Sequence, residues 1–141
     1  MNNKLNFKIL GSGPTGLFLS IVLAKFNLNI FITDLLTRDK LIDKEKTYAI
    51  THSTRKIFLK FNLWHKLEPF LFGFDTLSIK DTVTSSITNL TISDLDNDIR
   101  FAKNIGWVIK HSDLMSVFFN EIDNHKNIYF LSPKELSQKK L

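Results

Sequence analysis

At 141 residues the chain has the length of one domain, able to bury roughly two thirds of its unfolded surface. It contains no cysteine, which excludes disulfides, thiolate metal sites and a cysteine nucleophile. The net charge of +5 arises from 19 basic and 14 acidic residues that form no single basic stripe with interleaved aromatics, so nucleic-acid binding has little support.

In chain order, residues 7–10 are a short apolar run that reads as a strand, followed by Gly11-Ser12-Gly13-Pro14-Thr15-Gly16. The apolar stretch 17–26 comes next; it is too short for a membrane span and lacks a signal peptide's basic start, so it reads as a buried helix. Asn27 then fits a left-handed helix cap. Residues 29–33 read as a second strand with Asp34 at its carboxyl end. A glycine-rich turn between strand and helix is suited to a pyrophosphate. The first glycine permits the turn, the second admits the phosphates to the backbone, and the third lets helix and strand pack closely. Asp34 follows Gly16 by 18 residues, close to the roughly 20 expected for a carboxylate that binds the adenosine ribose. A carboxylate there repels a 2′-phosphate, so FAD or NAD is favoured over NADP. A strand–turn–helix with a surface Asp and no ligand is the alternative.

Residues 35–46 are charged and read as a loop, and 47–51 as a short extended segment. Ser53 or Thr54 caps a helix running through Phe61, with Ile57, Phe58 and Phe61 on one face. A further short turn of structure begins at Pro69. From 74 to 101 the texture is β-type, with strands at 77–81, 88–92 and 99–101 separated by polar turns. Residues 107–109 read as a strand, and Ser112 and Asp113 cap a helix whose Leu114, Val117, Phe118 and Ile122 share a face. A last strand at 127–131 precedes a polar tail. The fold class is α/β. A βαβ unit and helical connection occupy 1–73, a small antiparallel β insert 74–105, and a strand, helix, strand and tail 106–141. This is a Rossmann-like half-fold, with fewer parallel strands than a complete doubly wound sheet.

Four blocks in this order resemble the FAD-dependent aromatic hydroxylases, and within them the ubiquinone-biosynthesis hydroxylases. They are Gly11 to Leu17 with Asp34, then Lys46-Thr47-Tyr48-Ala49-Ile50-Thr51. Arg55 to Trp64 with Leu67-Glu68-Pro69 follows, and last Gly106-Trp107-Val108-Ile109-Lys110-His111 with Leu114. The resemblance implies an FAD whose ADP end lies on Gly11, Gly13, Pro14, Thr15 and Gly16, with its ribose on Asp34. It places Lys46 near the nucleotide and His111 in a hydrogen bond to the cofactor. It also implies NAD(P)H as electron donor, O2 as oxidant, and an aromatic or quinone precursor as substrate. Lys46 stands where the family usually has Arg, and His111 where Asn or Gln is usual. The chain ends before the family's Asp-Gly segment and later Gly-Asp motif, so it corresponds to a truncated, N-terminal portion expected not to hydroxylate alone. No side chain in it need act as a catalytic acid or base.

The competing function is an NAD-binding Rossmann domain of a dehydrogenase or regulator; a third is a non-catalytic truncated product or interaction module. Nothing argues for secretion, so a cytoplasmic protein is expected, with peripheral membrane contact sensible for a lipophilic quinone precursor. Oligomeric state is open. His52, His65, His111 and His125 lack metal-ligand spacing. Asp94, Asp96 and Asp98 lack the glycine and bidentate Glu of a calcium loop. Ser12, Ser53 and Ser112 read as turn and cap residues, Trp64 and Trp107 as core. Arg55 reads either as a phosphate contact or as solvated helix surface.

Overall fold

The computed structural model describes residues 4–95, 99 and 102–138. Within them the chain divides into two compact units, Met1–Lys46 with His111–Leu141, and Thr47–Lys110.

The first unit is built on three parallel strands, β1 (Leu5–Leu10), β2 (Leu28–Thr33) and β8 (Ile128–Leu131), in the order β1-β2-β8. Leu5 pairs with Leu28 and Leu10 with Thr33; Ile30 pairs with Ile128. β2 is the buried centre, as its unbroken run Ile30-Phe31-Ile32 requires. Helix α1 (Pro14–Leu23) provides the crossover from β1 to β2, with Pro14 in its first turn where a missing N–H costs nothing. It packs on α5 (His111–Asp123), where the Phe18 and Phe118 rings stack at 6.0 Å. Leu114, Val117, Phe118 and Ile122 of α5 are all buried, as their helical spacing predicts.

Several expectations are corrected here. α1 ends at Leu23, and Asn27 is not left-handed; among the described residues the non-glycine positions with that conformation are Asn62 (φ 59°) and Ser85 (φ 58°). A left-handed cap is unnecessary because Asn127 donates its side-chain amide to the carbonyls of Ala24 and Leu28, each at 3.0 Å. Helix α5 starts at His111, so Ser112 and Asp113 lie inside its first turn rather than capping it. The charged stretch after β2 contains a short helix, α2 (Arg38–Ile42). It is held by Leu41, which is 2% exposed, and by Arg38, which pairs with Asp123 at 2.8 Å and lies over the Phe119 and Phe130 rings. The polar tail contains α6 (Pro133–Gln138), opened by Ser132 and Glu135, which satisfy each other's backbone N–H groups.

The second unit holds an antiparallel sheet in the order β3-β7-β4, formed by Thr47–Ile50, Gly106–Lys110 and Phe72–Phe74, with Ile50 opposite Trp107 and Phe74 opposite Gly106. A separate hairpin, β5 (Thr76–Lys80) with β6 (Ile87–Thr91), sets Leu77 opposite Leu90. Helix α3 (His52–Lys60) is capped by Thr51, whose hydroxyl accepts from the Thr54 N–H at 3.3 Å, not by Ser53 or Thr54. Phe58 is buried on it whereas Ile57 is 46% exposed, so the expected apolar face is narrower than its spacing suggests. Asn62 turns the chain into α4 (Trp64–Leu67), and a single tight turn, Glu68–Phe70, leads to β4. The strand expected at 99–101 and the tail lysines 139 and 140 fall largely on residues outside the described ones, as do Asp96 and Asp98.

Candidate nucleotide-binding site

The turn between β1 and α1 shows a distinct physical reason for each of its glycines. Gly11 has φ +103°, a conformation side chains rarely adopt, and its N–H donates to the Thr33 carbonyl of β2 at 2.8 Å. A Cβ on Gly16 would collide with the Gly11 carbonyl oxygen and crowd its carbon, so strand and helix approach this closely only because Gly16 has none. A Cβ on Gly13 would meet nothing within 4 Å. Its backbone conformation (φ −69°, ψ 179°) is open to any residue, so neither fold nor packing demands glycine at position 13.

What faces Gly13 is a groove of about 390 Å³ lined by Ile9, Leu10, Gly11, Gly13, Pro14, Thr15, Gly16 and Leu19. α1 opens onto it without a capping side chain and without an acidic residue in its first turn. Leu17 is the first residue whose N–H returns to the turn, donating to the Gly13 carbonyl at 3.0 Å. The N–H groups of Thr15 and Gly16 therefore have no partner within the helix, and with the positive end of the helix dipole they suit an anion.

Asp34, at the end of β2, is bound to the same turn. Its Oδ2 accepts from the Ser12 N–H at 2.7 Å and its Oδ1 from the Leu36 N–H at 3.1 Å. Burial pushes the Asp34 carboxyl up, but the N–H groups of Ser12, Leu36 and Leu35 and the charge of Lys44 outweigh it and hold the group below the usual carboxylate range. Asp34 is therefore an anion at neutral pH, and its two carboxylate oxygens offer a lone pair beyond those bonds. Helix N–H groups without an intrahelical partner beside the groove, and an ionised acceptor bonded to the same turn, suit the phosphates and ribose of a dinucleotide. The Ser12 hydroxyl, fully buried beneath the turn, has no hydrogen-bond partner among the described residues.

Lys46 and His111 are joined to each other: the His111 N–H donates to the Lys46 carbonyl at 2.8 Å. The His111 ring is 2% exposed, and its Nε2 lies 2.6 Å from the Leu41 carbonyl. A carbonyl only accepts, so Nε2 carries a proton and donates it. In an imidazole with one N–H, that donor is committed to α2. The Lys46 side chain is exposed. No described hydrogen bond joins either residue to the glycine turn.

In the second unit, His52 Nε2 lies 2.8 Å from the Asn104 carbonyl and its ring meets the Trp107 edge at 4.9 Å. Arg55 is half-buried, its guanidinium 5.2 Å from the Trp64 ring centre and 5.8 Å from that of Trp107. Arg55 comes from α3, Trp64 from the first residue of α4 and Trp107 from β7, so the cluster depends on how these elements pack and has no local sequence signal. Among the described residues, no group of three or more His, Asp or Glu side chains gathers as a metal site. No helix among them is long and apolar enough to cross a membrane.

No protein-family model matches the chain. It is 24% identical over 135 residues to the uncharacterised Synechocystis protein slr1300, covering 96% of this chain and 31% of that protein. Among solved structures it resembles p-nitrophenol 4-monooxygenase PnpA of Pseudomonas putida, with a TM-score of 0.72, 11% identity, and coverage of 94% of this chain and 32% of that one. P. aeruginosa PqsL, solved in complex with 2-aminobenzoylacetate, gives 0.71 at 13% identity, covering 92% and 34%. The flavin-dependent monooxygenase PieE, solved with FAD and substrate, gives 0.66 at 10% identity, covering 93% and 24%. The fold is thus mixed α/β and that of the FAD-binding domain of flavin monooxygenases. The chain spans about a third of the length of the first of these proteins.

Proposed function

We infer that residues 11–16 and Asp34 hold the ADP portion of FAD, and that the chain is the FAD-binding portion of a flavin-dependent monooxygenase. The substrate class is an aromatic ring or quinone precursor, with a ubiquinone precursor as the specific case, and NAD(P)H is the electron donor. The observation that carries this reading is Gly13, a glycine that neither backbone nor packing requires, on a groove at the start of α1, with an ionised Asp34 bonded to the same turn through the Ser12 N–H.

FAD held there would supply the redox chemistry, with NAD(P)H as reductant and O2 as oxidant, one oxygen atom going to the ring and the other to water. The chain's own residues bind and orient. Thr15 and Gly16 direct N–H groups at the pyrophosphate, Gly13 makes room for it, and Asp34 accepts from the ribose hydroxyls. Lys46 adds positive charge near the nucleotide. His111 acts through Lys46 and Leu41, fixing the segment between them rather than donating from its ring to the cofactor. Hydroxylation belongs to the complete fold, of which proteins such as PnpA carry about three times this length, and a lipophilic precursor would bring the protein to the membrane surface as a peripheral contact.

The test is the native gene product purified from its own cells. It should be yellow, and a phenolic substrate should stimulate NAD(P)H oxidation coupled to O2 consumption. A folded product that is colourless, takes up no added FAD and oxidises no NAD(P)H would overturn the reading.

A further inference from the structure

Positive charge is unevenly placed along the chain. Between Glu45 and Glu68 there is no acidic residue, and α3 and α4 within that stretch carry Arg55, Lys56, Lys60 and Lys66. The 19 basic residues less these four leave 15 against 14 acidic ones, so four of the five net charges lie on two short helices. His52 and Phe58 of α3 and Trp64 and Leu67 of α4 are buried. Ser53, Lys56, Ile57 and Lys60 share another face of α3, as helical spacing requires, and all four are exposed; His65 and Lys66 are the exposed pair of α4. Arg55 packs on Trp64 and Trp107 and adds its charge from behind.

Two features of this face do not serve the helix. Lys56 and Lys60 stand four residues apart, a like-charge pair that weakens a helix. Ile57 lies between them with 46% of its surface exposed. Lysine is among the side chains least often buried and is depleted at protein interfaces, so covering this face with polypeptide is unfavourable. We propose that the exposed face of α3 and α4 docks on the headgroups of an anionic lipid bilayer, with Lys56, Lys60 and Lys66 at the lipid phosphates and Ile57 entering between them. A bilayer presents negative charge and an apolar layer in one plane, which is what interleaved Lys and Ile side chains match. The lysine stems lie along the apolar boundary while their ammonium groups stay at the phosphates. A nucleic acid would instead set Ile57 against phosphate. Glu68, 3.6 Å from His65, bounds the face. Each lysine near an anionic surface strengthens attachment about fivefold, so the contact is reversible and salt-sensitive. It needs neither bound FAD nor a lipophilic substrate, and so stands apart from the flavin reading.

Vesicles of phosphatidylglycerol and phosphatidylcholine in equal parts, free of quinone, should sediment the protein at low salt. Vesicles of phosphatidylcholine alone should bind it roughly tenfold more weakly or worse. Salt at about 1 M, where the Debye length is about 3 Å, should release it. Lys56→Gln combined with Lys60→Gln should weaken binding about 25-fold with circular dichroism unchanged. Because the chain has no cysteine, a single introduced one takes a single label, which gives a second readout that leaves the lysines in place. A polarity-sensitive fluorophore on Ile57→Cys should shift to the blue on the anionic vesicles. The same fluorophore on Val83→Cys, a 91% exposed position between β5 and β6, should not shift. Equal binding to the two kinds of vesicle, undiminished binding by the double variant, or equal spectra of the Ile57 label with and without vesicles overturns the proposal. Tighter binding to duplex DNA than to the anionic vesicles overturns it as well, since that would assign the face to nucleic acid.

Discussion

Ser12 donates its backbone N–H to Asp34 Oδ2 at 2.7 Å, so the turn expected to hold phosphate and the carboxylate expected to hold ribose are bonded to each other across 22 residues of sequence. Gly11 is likewise bonded to Thr33, one residue before Asp34. The glycine turn and the end of β2 therefore form one rigid element, and a change in either is felt by both.

Asp34→Asn should weaken FAD binding by about tenfold or more, because hydrogen bonds to a charged acceptor are worth about 1.5–3 kcal/mol and the amide is neutral. Calorimetric titration of both proteins with FAD checks this. Equal affinities would place the ribose elsewhere.

The same variant fixes a pH dependence. An unfolded Asp titrates near about 3.9, and the folded Asp34 carboxyl lies lower. Its ionised form is thus favoured by folding. That contribution is fully present above the unfolded value and is lost as pH falls through the folded one. In urea unfolding, the stability gap between wild type and Asp34→Asn should be widest at neutral pH and shrink below about pH 4. A gap that does not change with pH would show the carboxylate contributes nothing through its charge.

Gly16→Ala should destabilise the first unit by about 1–3 kcal/mol, since the new Cβ meets backbone that cannot yield cheaply. Gly11→Ala should cost about 1–2 kcal/mol through its positive φ. Gly13→Ala should leave the melting temperature close to wild type. Thermal unfolding of the three variants separates these cases, and a Gly13→Ala loss as large as that of Gly16→Ala would contradict the open space seen at position 13.

His111→Leu should cost about 1–3 kcal/mol by leaving the Leu41 carbonyl without its buried donor. His111→Gln should recover part of this, because its amide can donate to the same carbonyl. Chemical unfolding of the two variants checks the order. If the two are equally unstable, packing rather than the hydrogen bond is what position 111 provides.

The βαβ start was legible because its signals are local: apolar runs of the right lengths, glycine punctuation, and an acid at the right distance. β4 was not, since Phe72-Gly73-Phe74 is a strand only by pairing with β7, thirty or more residues away. α2 was hidden because five residues of mixed charge carry no period, and what holds them, Arg38 on Asp123 and His111 on Leu41, comes from distant sequence. α6 does carry a local signal: Ser132-Pro133-Lys134-Glu135 is a capping box with proline at its first helical position. Asn27 needs no left-handed conformation because the side chain that satisfies the helix end, Asn127, comes from 100 residues further on, which no local pattern shows. For the site, the glycines and Asp34 were readable one by one. The bond between Ser12 and Asp34, and the use of the His111 ring on α2, were not, since both depend on which loops meet.

The most direct test of the account is calorimetric titration of FAD into the wild-type chain and into Gly13→Ala, with circular dichroism confirming that both are folded. The account predicts that the wild type binds FAD and that Gly13→Ala, equally folded, binds at least tenfold more weakly because the methyl group stands where the phosphates approach. A folded wild-type chain that binds no FAD, or equal binding by the two proteins, would contradict it.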